Sequence, residues 1–369
     1  MPPRIAVFHD NLAQMGGAER VTEALHKAFP GAALYTTLSV PERLSPYLRA
    51  AGARTTWMQW LPRKAELFRH YFFLYPFAVE SVDLSAYDVV ITSCFGFAKG
   101  VHRRNGALQV CYCHTPMRWV WRTSDYFAKE KIGLLKELLL GLALKPLRWW
   151  EIRAAKRPDL YIANSQIVAQ RLRDAFGVES VVIPPPIETD RFYASESTDD
   201  YFLILSRLVP YKRLDLAVQA ATRLSISLKV IGSGPDLERL RAMAGPTVEF
   251  LGRQSDEAVS QLVSRCQALI FPGEEDFGMA PLEVNAAGRP VVAFYGGGAV
   301  ETIVEGINGI FFREPTVDSL VDAMHRFRLV RWDVAAIQGH ARTYDIAAFQ
   351  QRIREFVETA LEMRSGILK

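Results

Sequence analysis

The chain has 369 residues, and at roughly 150 residues per domain that length predicts two domains, with three as the outer bound. With 49% hydrophobic and 23% charged residues, it is excluded from the disordered, collagen-like and low-complexity classes. The net charge of +4 conceals an asymmetry: 24 basic against 15 acidic residues up to Ile187 give +9, and 20 against 25 beyond it give −5. A basic first half points to an anionic partner such as a phospholipid surface, a phosphorylated substrate or nucleic acid.

In chain order, the first half predicts strands at RIAVFHD, VVITSC, ALQVCYCH, LYIANS and SVVIPPP, separated by helix-length segments. Three prolines, Pro184 to Pro186, end the last of these, because a residue without an N–H cannot extend a ladder. The domain boundary is placed there, with residues 1–187 plus a returning C-terminal helix (345–369) in one domain and 188–344 in the other. A polar loop at Ala194 to Asp200 precedes a second series: YFLILSR, SLKVIGSG, VEFLGR, ALIFPGE and PVVAFYG. Phe349 to Met363 carries apolar residues at helical spacing. Alternating strands and helices predict two Rossmann-like α/β domains, whose ligands bind at the carboxyl ends of the strands, across a cleft.

Cys94, Cys111, Cys113 and Cys266 are too sparse for a disulfide framework and read as reduced, buried thiols. The start lacks a signal-peptide pattern, and Leu138 to Leu144 is far shorter than the roughly 20 residues needed to span a bilayer. A cytoplasmic location is therefore expected.

Two motifs in the second half carry chemistry. EDFGMAPLE places Glu275 on a loop and Glu283 inside the following helix, and Phe277, Gly278, Met279 and Ala280 lead into its positive end, where free N–H groups suit a phosphate. LSRLVPYKR sends Arg207 out of a strand and returns Lys212 across a proline turn, so that both cations can serve one diphosphate. Structural readings also exist: Glu275 as a helix cap, Glu283 on a solvated face, and a basic surface turn.

With these residues the chain resembles the family 4 retaining glycosyltransferases of the GT-B fold, whose marks are R-x4-K and E-x7-E, here Arg207 with Lys212 and Glu275 with Glu283. The resemblance extends to the Gly16-Gly17 pair of MGGAER, to His114 of CHTPMRWVW, to ANS, PPP and GSGP, and to YGGGAVETI, covering essentially the whole chain. It implies a bacterial GDP-mannose-dependent mannosyltransferase of surface polysaccharide synthesis, with a UDP-sugar donor as the runner-up. It further implies that Gly16 and Gly17 admit the diphosphate, that His114 contacts the transferred sugar, and that Glu275 binds sugar hydroxyls. By the same resemblance Glu283 binds the ribose, Arg207 and Lys212 hold the diphosphate, and the base lies near Gly252 and Arg253. Retention in this family is explained by front-face displacement, which needs no protein base, so the paired glutamates differ from a glycosidase pair. A UDP-sugar epimerase or a non-catalytic sugar-nucleotide binder of the same fold remains open.

No cofactor or metal is expected. Asp-x-Asp is absent, G-x-G-x-x-G does not follow the first strand, and no clustered Cys/His zinc pattern appears.

The positive charge of the first half comes with aromatics. Trp57, Trp60, Arg63, Lys64, Phe68, Arg69, Tyr71, Phe72 and Phe73 predict a basic, sticky helix, and Lys129 to Lys156 mixes cations with leucines and Trp149-Trp150. Such segments lie at membrane interfaces, or else pack against the sheet. With the resemblance, they imply a peripheral enzyme at the inner face of the membrane taking a lipid-linked saccharide. Arg103, Arg104, Arg118 and Arg122 are candidates for contacts to acceptor phosphate or anionic lipid. Nucleic acid is not expected, because no nucleic-acid fold motif accompanies the charge.

Overall fold

A computed structural model describes residues 2–121 and 134–366. The chain divides into two compact units, one of residues Met1–Pro184 with Phe349–Lys369 and the other of Pro185–Ala348.

The first unit is built on seven strands: β1 (Ile5–His9), β2 (Ala33–Thr36), β3 (Arg54–Thr55), β4 (Val89–Cys94), β5 (Leu108–Cys113), β6 (Leu160–Ala163) and β7 (Val181–Val182). Their order is β3-β2-β1-β4-β5-β6-β7, and every pairing is parallel. All of β4 and β5 is buried. Strands covered on both faces read as near-continuous apolar runs, here broken by Thr92, Ser93 and Gln109, and both strands are legible in the sequence.

The second unit has six parallel strands: β8 (Phe202–Leu205), β9 (Leu228–Ile231), β10 (Val248–Gly252), β11 (Leu269–Phe271), β12 (Val291–Phe294) and β13 (Gly309–Phe312), in the order β10-β9-β8-β11-β12-β13. Apolar clusters flank this sheet, one around Phe202, Val218, Ile270 and Leu320, the other around Leu203, Val263, Leu282 and Phe311. These are the two doubly wound sheets that the alternation predicted. Four free, buried cysteines agree with the reduced-thiol reading.

Three strands carry little signal in the sequence. β2 and β3 are four and two residues long, and β3 is exposed, so neither carries a hydrophobic period. β13, GIFF, is fully buried, but its three apolar residues behind a glycine are too short a run to separate a strand from a loop.

The basic helix expected over residues 57–73 does not form. A 3₁₀ turn (Trp57–Trp60) and a single helical turn (Lys64–Leu67) replace it. Pro62 disfavours helical geometry at Leu61, and Arg63 adopts a left-handed φ of 46°, so the two turns cannot join. The later segment does form a long helix, Leu134–Ala154, with Pro146 inside it.

In both sheets all strands run the same way, so the loops that leave their carboxyl ends share one edge.

Candidate functional site

At the carboxyl edge of the second sheet, β8 leads through Ser206 to Val209 into a 3₁₀ turn, Pro210–Lys212. Lys212 is buried to 9% exposure, and its Nζ donates to Glu275 Oε1. Arg207, from the same loop, is exposed and donates from Nη2 to the Tyr211 hydroxyl at 3.2 Å. The two cations thus lie on one short loop, one sunk beside a carboxylate and one open to ligand.

Close backbone approach assembles this edge. A Cβ on Gly273 would stand 2.6 Å from the Lys212 carbonyl oxygen, so only glycine allows the loop after β11 to lie against Lys212. Gly297, at a φ of 60°, leaves a Cβ 2.3 Å from the Glu275 carbonyl oxygen, and Gly298 N donates to that same oxygen at 2.9 Å. Three loops therefore fix Glu275.

The helix Met279–Ala286 begins after Gly278, which has a left-handed φ of 84°. Phe277 is buried, Met279 and Ala280 are half-buried, and Glu283 lies half-buried within the helix, as its spacing from Glu275 predicted. The first-turn amides of such a helix offer donors and a positive field. Gly252 ends β10 and accepts from Gly232 N at 2.8 Å, and Arg253 beside it is exposed. Among the described residues no group of three or more His, Cys, Asp or Glu side chains is gathered to hold a metal ion.

The first unit presents a different chemistry at its carboxyl edge. β1 leads into a loop and then the helix Gly17–Ala28. Gly16 caps that helix, its N–H donates to Glu19 Oε2 at 2.9 Å, and Gly17 is the first residue of the helix. His114 follows β5. It is 8% exposed, its Nε2 lies 2.9 Å from Ser93 Oγ, and its carbonyl accepts from Asn164 Nδ2 at 3.0 Å. Burial pushes the imidazole down to about 3, so it is neutral at physiological pH.

Below this edge lie charged groups that the sequence did not reveal. Asp10 accepts from the amides of Phe95, Phe97 and Ala98 at 2.6, 2.7 and 2.5 Å, and burial raises its pKa against the pull of those donors and of Lys99. Lys99 and Glu151 form a fully buried ion pair at 2.7 Å. Glu151 also accepts from Met117 N at 3.1 Å and from Trp121 Nε1 at 2.7 Å, tying the segment after His114 to the helix Leu134–Ala154.

The basic candidates divide. Arg69 is exposed and donates to Gln14 Oε1 at 2.9 Å, next to the Gly16 loop. Arg63 is exposed, and Lys64 donates to the Gln59 carbonyl at 3.1 Å. Arg103 pairs with Asp159 at 2.6 Å and Arg104 pairs with Asp88. Those two carboxylates precede β6 and β4, so Arg103 and Arg104 sit at the amino edge of the sheet, opposite His114. Arg118 begins the helical turn Arg118–Trp121 and is half-buried. Arg122 lies outside the described residues, as do Lys129 and Lys131. Trp57, Trp60, Phe72, Phe73 and Phe77 are exposed, Trp60 to 87%.

Two parallel doubly wound units, each with charged or polar side chains at its carboxyl edge, have the two-domain architecture of the GT-B glycosyltransferases. Residues 187–329 match the family described as Glycosyl transferases group 1, and residues 15–191 match Glycosyltransferase Family 4. The chain belongs to this glycosyltransferase family.

Among curated relatives, it is 26% identical over 288 residues to human alpha-1,3/1,6-mannosyltransferase ALG2, covering 68% of this chain and 65% of that protein. It is 30% identical over 215 residues to the GDP-mannose-dependent alpha-(1-6)-phosphatidylinositol monomannoside mannosyltransferase of Mycobacterium tuberculosis, covering 50% and 56%. The chain thus spans between 46% and 65% of the length of the first curated relatives it matches. Among solved structures it is similar to Anabaena HepE in complex with UDP-glucose, with a TM-score of 0.68 and 18% identity over 97% of this chain and 100% of that one. Sucrose-phosphate synthase from Thermosynechococcus elongatus gives 0.71 and 16%, covering 98% and 100%. No described helix is long and apolar enough to cross a membrane.

Proposed function

We propose that the protein transfers mannose from GDP-mannose, with retention and without a metal, onto a lipid-linked saccharide in polysaccharide or glycan synthesis. The observation that carries this reading is the Lys212–Glu275 pair at the loop edge of the second unit, with Arg207 on the same loop. An ammonium has three donors, so Lys212 can serve Glu275 and a phosphate oxygen together. Arg207 adds a planar fork. Two fixed cations stabilise the charge that grows on a departing diphosphate. Glu275 accepts from sugar hydroxyls and Glu283 from the ribose diol. The acceptor hydroxyl attacks the face that the diphosphate leaves, and a leaving phosphate oxygen takes its proton.

The mannose donor is supported by the relatives whose names specify mannosyl transfer. A UDP-sugar donor is the second reading, favoured by the UDP-glucose complex of HepE. The first unit takes the acceptor. Its exposed tryptophans and phenylalanines, beside Arg63 and Arg69, suit an anionic membrane surface at the inner face of the cell membrane.

The test is a donor screen: purified protein with GDP-mannose or UDP-sugars, with and without membrane lipid extract and EDTA, followed by identification of the released nucleotide. Lipid-dependent release of GDP in the presence of EDTA is expected. Release of UDP selects the second reading, and acceptor-independent isomerisation of a sugar marks an epimerase. Binding without turnover of any donor overturns the transferase, and loss of activity in EDTA overturns the metal-free mechanism.

A further inference from the structure

Four side chains at the carboxyl edge of the first sheet form a buried cluster: His9 at the end of β1, Thr22 on the helix Gly17–Ala28, Ser93 in β4 and His114 after β5. His9, Thr22 and Ser93 are fully buried. His9 Nδ1 lies 3.1 Å from the Ser93 carbonyl oxygen, 3.0 Å from Ser93 Oγ and 2.8 Å from Thr22 Oγ1. Thr22 Oγ1 donates towards Ser93 Oγ at 2.8 Å and towards the Ala18 carbonyl at 2.9 Å. Ser93 Oγ stands 2.9 Å from His114 Nε2.

The protons in this cluster can be counted. A carbonyl oxygen only accepts, so the His9 Nδ1 that faces it carries the hydrogen. His9 Nε2 is then a bare lone pair. It has no hydrogen-bond partner among the described residues, and a buried acceptor left alone costs less than a buried N–H left alone. With Nδ1 occupied, His9 cannot accept from Ser93. Thr22 has a single hydroxyl proton, and of the two acceptors in its reach Ser93 Oγ, at 2.8 Å, is nearer than the Ala18 carbonyl, at 2.9 Å. Given to Ser93, that proton leaves the Ser93 hydroxyl hydrogen for His114 Nε2. A neutral imidazole that accepts at one nitrogen carries its hydrogen on the other.

We propose that His9, Thr22 and Ser93 are positioning residues that lock His114 in its Nδ1–H tautomer, so that His114 meets its ligand as a hydrogen-bond donor to an oxygen lone pair and not as a base. Burial of His114, which holds it neutral, keeps the arrangement intact over the physiological range. A donor there suits a reaction in which the leaving phosphate, not the protein, takes the acceptor proton. That functional consequence rests on the transferase reading; the tautomer itself does not.

The experiment is ¹⁵N NMR of ring-labelled histidines in the full-length protein without any donor, with His114 assigned by the loss of its signal in His114→Gln. A single neutral form protonated on Nδ1 is expected, and protonation on Nε2 or a mixture of tautomers overturns the proposal. Ser93→Ala removes the only hydroxyl at His114 Nε2 among the described residues; it is expected to mix the tautomers and to lower kcat by roughly tenfold while changing the donor KM less than about threefold. An unchanged tautomer in Ser93→Ala overturns the relay. If that variant does not fold, the wild-type spectrum still decides. Absence of turnover with any donor, together with the Nδ1–H spectrum, would defeat the transferase and leave the tautomer standing.

Discussion

Lys212 Nζ donates to Glu275 Oε1 although the two residues are 63 positions apart, on loops that leave different strands. Its geometry makes each the other's orienting partner. Lys212→Met removes charge stabilisation on the leaving group and is expected to lower kcat/KM by about 10²- to 10³-fold. Glu275→Gln should cost less than Lys212→Met. Because each single variant already breaks the pair, the double variant should fall short of the product of the two, a coupling that steady-state kinetics on a double-mutant cycle reads directly.

The backbone that holds this pair is sensitive to one added methyl group. Gly297→Ala would bring a Cβ against the Glu275 carbonyl and hold alanine at a left-handed φ. A loss of about 2 kcal/mol or more in stability is expected from urea titration, with a parallel fall in donor affinity. Gly306→Ala, with a φ of 85° but open space around it, is the control that carries conformational strain without the clash.

In the first unit, Lys99 and Glu151 are both fully buried, so neither can lose its partner cheaply. Glu151→Ala leaves an ammonium in the core and is expected to cost about 3–5 kcal/mol, whereas replacing both residues by Met and Leu should recover much of that loss. Equilibrium denaturation of the single and double variants checks this.

His9 and His114 bring a pH dependence whose sign can be worked out. Burial pushes both down to about 3, and the nearby His114 lowers His9 further. Below the ordinary histidine value of 6.5, the unfolded chain binds protons that the folded chain refuses. Their contribution to stability is therefore complete above pH 6.5 and is lost as the pH falls from 6.5 towards 3, at up to about 1.4 kcal/mol per pH unit for each ring. Asp10, raised by burial, acts with the opposite sign. Urea midpoints measured between pH 7 and pH 4 should fall, and His9→Asn should flatten the slope.

Trp60 and Phe73 are exposed to 87% and 57% beside Arg63 and Arg69. If this face meets lipid, Trp60→Ser with Phe73→Ser should reduce sedimentation with anionic liposomes, and charge reversal at Arg63, Lys64 and Arg69 should abolish it. Wild-type liposome binding in both variants would remove the membrane from the proposed function. Arg103→Glu should leave binding unchanged, since that residue pairs with Asp159 at the amino edge of the sheet.

Local patterns in the sequence determined a good deal. Largely apolar runs such as VVITSC and ALIF announced buried parallel strands, three prolines marked the end of the first series, and the spacings of Arg207 to Lys212 and Glu275 to Glu283 carried the family. These signals were legible because each lies within one element or one loop. The basic helix expected over 57–73 failed for the converse reason: composition counts residues, while Pro62 and the left-handed Arg63 decide where helical geometry stops. Only the tertiary structure decided which distant segments meet. Strand order placed β1 beside β4 and β4 beside β5, and that order alone brings His9, Ser93 and His114 into one hydrogen-bonded row. The same order sends Arg103 and Arg104 to the far edge and buries Lys99 with Glu151. Such contacts depend on how crossovers stack remote strands, and no local period in a chain encodes them.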